Sequence, residues 1–274
     1  MDISYILFNS LVYGIVAFVM MSFFAYIKVL NFALWIVMIL LAYIIQIIYS
    51  QWINSITITL LIGTIIIYLF INWLILKYFK NTKKRELFGL VFTLGASILL
   101  ENLVNYIFGP NAVSIWGFSL NNTMMLIGFV LINMWVFYFI KRSFLGKIFK
   151  GIFENVNVIK SLGFKTNKNL QIFSLFLLLL LWVTAWMLLI NWNVRASDAL
   201  FYLIKGIWIM ILVGITKIEY VFVGTLLYVL LEYVLFIKLW LPIAYKETLV
   251  LIIMLLVLMI KPQGLFTRKI TRKS

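Results

Sequence analysis

Leu170 to Ile190 reads LQIFSLFLLLLLWVTAWMLLI, without one ionisable side chain. A hydrocarbon core about 30 Å thick needs roughly 20 mostly apolar residues to be crossed by a helix, and this stretch meets that requirement. Its polarity does not alternate as a barrel strand would. Backbone N–H and C=O groups in lipid must find partners within their own segment, so the run reads as a membrane helix. Similar runs lie at about 4–27, 31–50, 53–76, 87–107, 122–140, 199–216, 220–238 and 243–260. The expectation is an all-α, polytopic helical bundle of eight or nine membrane segments, forming one membrane domain over 1–274 with short loops.

Composition agrees. Of 274 residues, 65% are hydrophobic and 11% charged, and the mean hydropathy of +1.13 is not that of a water-soluble domain. With no Cys and no His, disulfides, thiolate nucleophiles, imidazole bases and the usual zinc sites are excluded. Asp2 stands where a secretory signal would carry basic residues, and no small-residue cleavage site follows, so the first run is expected to remain as a span. The eight acidic residues are scattered singly. That poorly serves a membrane transferase, which needs clustered carboxylates for a divalent metal, and no cofactor is expected.

The net charge is +15, and its placement matters more than its size. Basic residues gather at Lys77, Lys80, Lys83, Lys84 and Arg85, then from Lys141 through Lys168, then from Lys261 through Lys273, each group directly after an apolar run. This is the pattern of loops on the cytoplasmic side. The nearly uncharged 108–121 and 191–198 then lie outside, as does the N-terminus. Nucleic acid is not an expected partner, because no folded polar domain exists to present a groove-reading element.

One loop is too long to be a turn: Ser143 to Gly163, SFLGKIFKGIFENVNVIKSLG. Leu145, Ile148, Phe149, Ile152, Val156, Ile159 and Leu162 recur near helical spacing, with Lys147, Lys150, Glu154, Asn157 and Lys160 largely on other faces. An amphipathic helix broken by Gly163 is predicted on the cytoplasmic side. Its apolar face would rest on membrane lipid or dock into a groove on another protein.

The same loop resembles the cytoplasmic coupling loop of permeases from branched-chain amino-acid ABC transporters, in Gly146-Lys147, Glu154-Asn155 and Leu162-Gly163. Further stretches resemble that family in its order: Asn31-Phe32-Ala33 with Ala42-Tyr43; Thr93-Leu94-Gly95 through Glu101-Asn102-Leu103 to Phe108-Gly109-Pro110; Gly214 through Gly224 to Glu232; and Lys261-Pro262-Gln263-Gly264-Leu265-Phe266 after the last run. The resemblance implies a permease subunit in a bacterial cytoplasmic membrane, paired with a second permease subunit. Cytoplasmic ABC ATPase subunits and an extracytoplasmic solute-binding protein would complete the importer. It also implies an ATPase-coupling role for Gly146, Lys147, Lys150, Glu154, Asn155, Leu162 and Gly163 within a loop at about 141–169. The chain is then no enzyme, and it has no Gly-x-x-x-x-Gly-Lys-Ser/Thr loop of its own. A small polar solute, a branched-chain amino acid foremost, is the expected cargo. Bulky Lys217, Glu219, Tyr220, Val221 and Phe222 stand where the family is dense in Gly and Ala, so the pathway walls should differ.

Glu101, Lys205 and Glu232 fall inside apolar runs, where an ionised group costs about 2.5–3.5 kcal/mol and needs a partner or water. With Asn31 and Asn102 they are the pathway candidates; a Lys205–Glu232 pair could line the pathway or be purely structural. Trp52, Trp116, Trp192 and Trp240 lie near run ends, as membrane-interface aromatics do. A secondary transporter or channel would use the same intramembrane charges without an ATPase.

Overall fold

The computed structural model describes residues 2–27, 29–51, 55–78, 85–115, 122–154, 156–163, 166–214, 217–235, 246–261 and 264–266. Among them the chain is all-helical, apart from an isolated antiparallel bridge between Val113 and Val194. The helices are α1 (Asp2–Ile27), α2 (Ala33–Gln51), α3 (Ser55–Tyr78), α4 (Arg85–Phe108), α5 (Asn122–Arg142), α6 (Phe144–Glu154), α7 (Val156–Ser161), α8 (Thr166–Asn191), α9 (Asp198–Val213), α10 (Val221–Tyr233) and α11 (Lys246–Ile260). Every apolar run of the sequence thus holds a helix.

Five helices, α1, α2, α3, α4 and α8, are long and apolar enough to cross a membrane. A sixth crossing follows if α9 and α10, set at 114° across a short break, act as one broken span. The expected eight or nine crossings are therefore not established. Length is the reason at three helices: α9, α10 and α11 have 16, 13 and 15 residues, short of the roughly 20 that a full crossing takes; α5, with 21 residues, is long enough but is not among the five.

The two N-terminal helices form the centre. From Leu11 to Met21, α1 is buried on every side, and α2 is buried from Ala33 to Ile45. Helices α5, α8, α9 and α10 pack on α1, while α3, α4, α8 and α9 pack on α2. A helix apolar all round is buried or faces lipid, and both cases occur here. Outward-facing residues of the other helices, among them Ile62, Phe70, Leu87, Val91, Leu131 and Met134, are large, apolar and exposed. A water-soluble monomer rarely leaves so continuous an apolar surface uncovered.

Loops sort to two ends. At one end the 109–115 segment meets the α8–α9 loop: Val113 and Val194 exchange backbone hydrogen bonds of 2.9 Å, and Tyr43 donates to the Asn111 carbonyl at 3.1 Å. At the other end α6, the 217–220 turn and residues 264–266 come together. The first group is the one expected outside from its lack of charge. The second belongs to the basic side.

Candidate functional site

Lys205 on α9 and Glu232 on α10 are among the most completely buried residues in the chain, at 2% and 1% exposure, and Lys205 Nζ donates to Glu232 Oε1 at 2.7 Å. Lys205 Nζ also donates to the Tyr13 hydroxyl at 3.2 Å. It stands 4.6 Å from the Tyr13 ring centre and 4.3 Å from that of Phe201, within cation–π range. Tyr202 and Tyr228 pack on Tyr13 with ring centres 6.3 and 6.4 Å away. Small residues admit this packing. Gly206 lies against Val16 and Trp35, and a Cβ at Gly224 would overlap Val213. The site therefore joins three helices, α1, α9 and α10, through one ammonium that the central helix helps to solvate.

The basic-side end is built differently. Ser143 caps α6: its hydroxyl accepts from the Gly146 N–H at 2.9 Å and donates to the Phe139 carbonyl at 2.6 Å, so α6 leaves α5 at a fixed point. The predicted single amphipathic helix is instead two. Helix α7 packs back on α6, and a Cβ at Gly151 would lie 2.6 Å from Ile159 Cδ1, so glycine is what permits the approach. Gly163 ends the unit with φ +82°, a left-handed stop. Of the expected coupling residues, Gly146 is buried while Lys147, Lys150, Leu162 and Gly163 are exposed. Glu154 closes α6; its side chain, and Asn155 altogether, lie outside the described residues.

Lys150 reaches across to Glu219 in the turn before α10 and donates to it at 2.7 Å, with 49% and 22% of the two side chains exposed. That hydrogen bond, with the added charge of Lys141 and Lys217, holds the Glu219 carboxyl below its ordinary range. On the other flank of the turn sits the C-terminal segment. Leu265 and Phe266 donate their N–H groups to the carbonyls of Leu212 and Val213 at 2.8 and 3.4 Å, and the Phe266 ring stacks on Tyr220 at 5.1 Å. Gly214 and Gly264 lie back to back, with φ +95° and +94°. A Cβ on Gly264 would come within 2.5 Å of Gly214 Cα. Two stretches singled out in the sequence, Gly214 and Gly264-Leu265-Phe266, are thus one contact.

The remaining pathway candidates are dispersed. Asn31 is buried and caps α2, its Oδ1 accepting from the Ala33 N–H at 3.1 Å; its Nδ2 donates to Asn72 Oδ1 at 3.3 Å. Glu101 and Asn102 lie on α4, half-buried and exposed, and Asn102 Nδ2 donates to the Ile98 carbonyl of its own helix at 2.8 Å. Neither takes part in the described contacts of Lys205. Tyr13, Phe201, Tyr202, Tyr228 and Glu219 were not expected from the sequence as members of a site. The signal available was that Tyr13 and Tyr228 stand in the middle of apolar runs, where the interface explanation for Tyr does not apply. Among the described residues no group of His, Cys, Asp and Glu could hold a metal ion.

No family model, curated protein or solved structure matches this chain.

Proposed function

We propose that the chain is the permease subunit of a bacterial ABC importer, lying in the cytoplasmic membrane and forming the path for a small polar solute, a branched-chain amino acid foremost. In this reading the chain crosses the bilayer eight or nine times, and a second permease subunit, cytoplasmic ATPases and an extracytoplasmic solute-binding protein complete it. The observation that carries the reading is the Lys150–Glu219 bridge. It ties the amphipathic unit between α5 and α8 to the turn joining α9 and α10, and those two helices hold the buried Lys205–Glu232 pair. A push on α6 from an ATPase would be passed to α9 and α10, tilting them between two packed arrangements that nucleotide biases.

The resemblance in sequence order and the clustering of basic residues at one end support the same reading. A secondary transporter or channel is favoured by one feature only, the intramembrane pair, which would serve it without an ATPase. Co-purification in mild detergent with the ATP-binding subunit encoded beside the chain separates the two. Wild type should retain that subunit, and a variant carrying Glu154→Lys and Gly163→Pro should lose it. Failure of wild type to associate with any ATPase would overturn the permease reading and leave the ATPase-independent one.

A further inference from the structure

A cavity of about 490 Å³ lies between α1, α3 and α8, within the roughly 300–1,000 Å³ of sites that hold small molecules. Its inner wall includes buried Phe23, Phe173 and Leu177, and its outer rim exposed Ile66, Phe70 and Trp73, so it opens on the apolar outer surface of the bundle. Four polar side chains, Ser22, Asn72, Gln171 and Ser174, line it; Ser174 donates to the Gln171 carbonyl at 2.8 Å, and two of the four keep an unsatisfied group. The hydroxyl of Ser22 is buried and has no hydrogen-bond partner. Asn72 Oδ1 accepts from Asn31 Nδ2, while its own Nδ2, which lies towards the Tyr68 hydroxyl, completes no hydrogen bond of good geometry. Unsatisfied polar groups at an apolar wall ask for a ligand that is mostly hydrocarbon yet carries an acceptor.

Depth narrows the ligand further. The cavity is formed by the last turns of α3 and the first turns of α8, the end where Lys77, Lys80, Lys83, Lys84 and Arg85 on one side and Lys165 and Lys168 on the other stand in the sequence. Lys77 Nζ lies 4.6 Å from the ring centre of Trp73, a combination suited to the membrane interface. Asn72 lies five residues before Lys77, about 7.5 Å deeper along the helix at 1.5 Å per residue. That is the order in which a glycerophospholipid presents its groups: phosphate at the surface, ester carbonyl beneath, hydrocarbon below.

We propose that the cavity binds an anionic phospholipid of the basic-side leaflet, its phosphate at Lys77, an ester carbonyl accepting from Asn72 Nδ2 or the Ser22 hydroxyl, and one acyl chain lying along Leu69, Ile66 and Phe173. A free polar solute would leave the aromatic walls unused, and a plain hydrocarbon would leave the Ser22 hydroxyl unanswered. The site requires only that the chain sit in a membrane, so it stands apart from the transport reading.

The test is native mass spectrometry of the full chain released from mixed micelles holding equal amounts of phosphatidylglycerol and phosphatidylcholine with identical acyl chains. Wild type should retain phosphatidylglycerol about fivefold over phosphatidylcholine, the preference one basic residue near a membrane surface gives. Lys77→Gln should remove the preference yet keep lipid bound, and Ile66→Trp, filling the cavity from its exposed rim, should reduce retention of both lipids severalfold at unchanged helicity by circular dichroism. Equal retention of the two lipids by wild type, or retention unaffected by Ile66→Trp, overturns the proposal.

Discussion

Two ion pairs among the described residues are of the same kind, Lys with Glu, at the same 2.7 Å, and they do opposite jobs. Lys205–Glu232 is sealed inside the bundle, at 2% and 1% exposure; Lys150–Glu219 stands at the basic-side end with 49% and 22% of its side chains exposed. Distance alone would call them equivalent. Surroundings separate them: the buried pair cannot lose one partner without leaving an uncompensated charge in the interior, whereas water and salt take over readily at the exposed pair. The first suits a fixed joint between α1, α9 and α10. The second suits a surface link that ties α6 to the turn before α10 at little cost in stability.

The largest effect should come from splitting the buried pair. Lys205→Met or Glu232→Leu alone should destabilise the protein by about 3–5 kcal/mol, whereas the two combined should recover most of the loss. Thermal unfolding in detergent measures this, and a double variant no more stable than the sum of the singles would show that the residues are not coupled.

Next comes the glycine contact beside the exposed pair. Gly264→Ala meets backbone rather than a movable side chain and must hold a left-handed φ, so about 1–3 kcal/mol should be lost, with earlier proteolytic release of the C-terminal segment. Gly163→Ala must also hold a left-handed φ, +82°, but has nothing within 4 Å. Its cost should be smaller, about 1 kcal/mol, and equal losses at the two sites would remove the packing explanation.

The smallest change in stability should come from the exposed pair. Lys150→Met should cost less than about 1 kcal/mol while lowering solute-driven ATP turnover in the assembled transporter. Because the Glu219 carboxyl is held low in the folded chain, its contribution is complete above the ordinary carboxylate range near 4.3 and fades as the pH falls through the lower folded value. Stability measured between pH 7 and 5 should therefore be the same in Glu219→Gln as in wild type, apart from a constant offset. A difference growing within that window would mean that Glu219 is not held low.

How much of this could be read from the sequence depends on range. Each apolar run became a helix, because hydrophobicity over twenty residues is a local property, and the break at Gly163 was equally local. Lys205 with Glu232 was reachable by elimination, since two opposite charges inside apolar runs each need a partner. Glu219 was not: in the sequence it is one more polar residue in a turn, and only the return of α6 to that turn gives it Lys150. The doubling back of α7 on Gly151 was hidden for the same reason, as the apolar spacing runs unbroken through residue 155. Asn31, read as a pathway residue, spends its oxygen on capping α2, a role that Asn two residues before a helix could have suggested.

The chain has no cysteine, so labels can be placed without first removing any. The most direct measurement is the distance between spin labels at Lys147→Cys on α6 and Val223→Cys on α10, in proteoliposomes with the ATP-binding subunits, with and without trapped nucleotide. If the exposed pair passes movement from α6 to α9 and α10, each label should shift relative to a third on α8, while the α6–α10 distance changes little in wild type and broadens in Lys150→Met. An α10 that stays still while α6 moves and the ATPase turns over would contradict it.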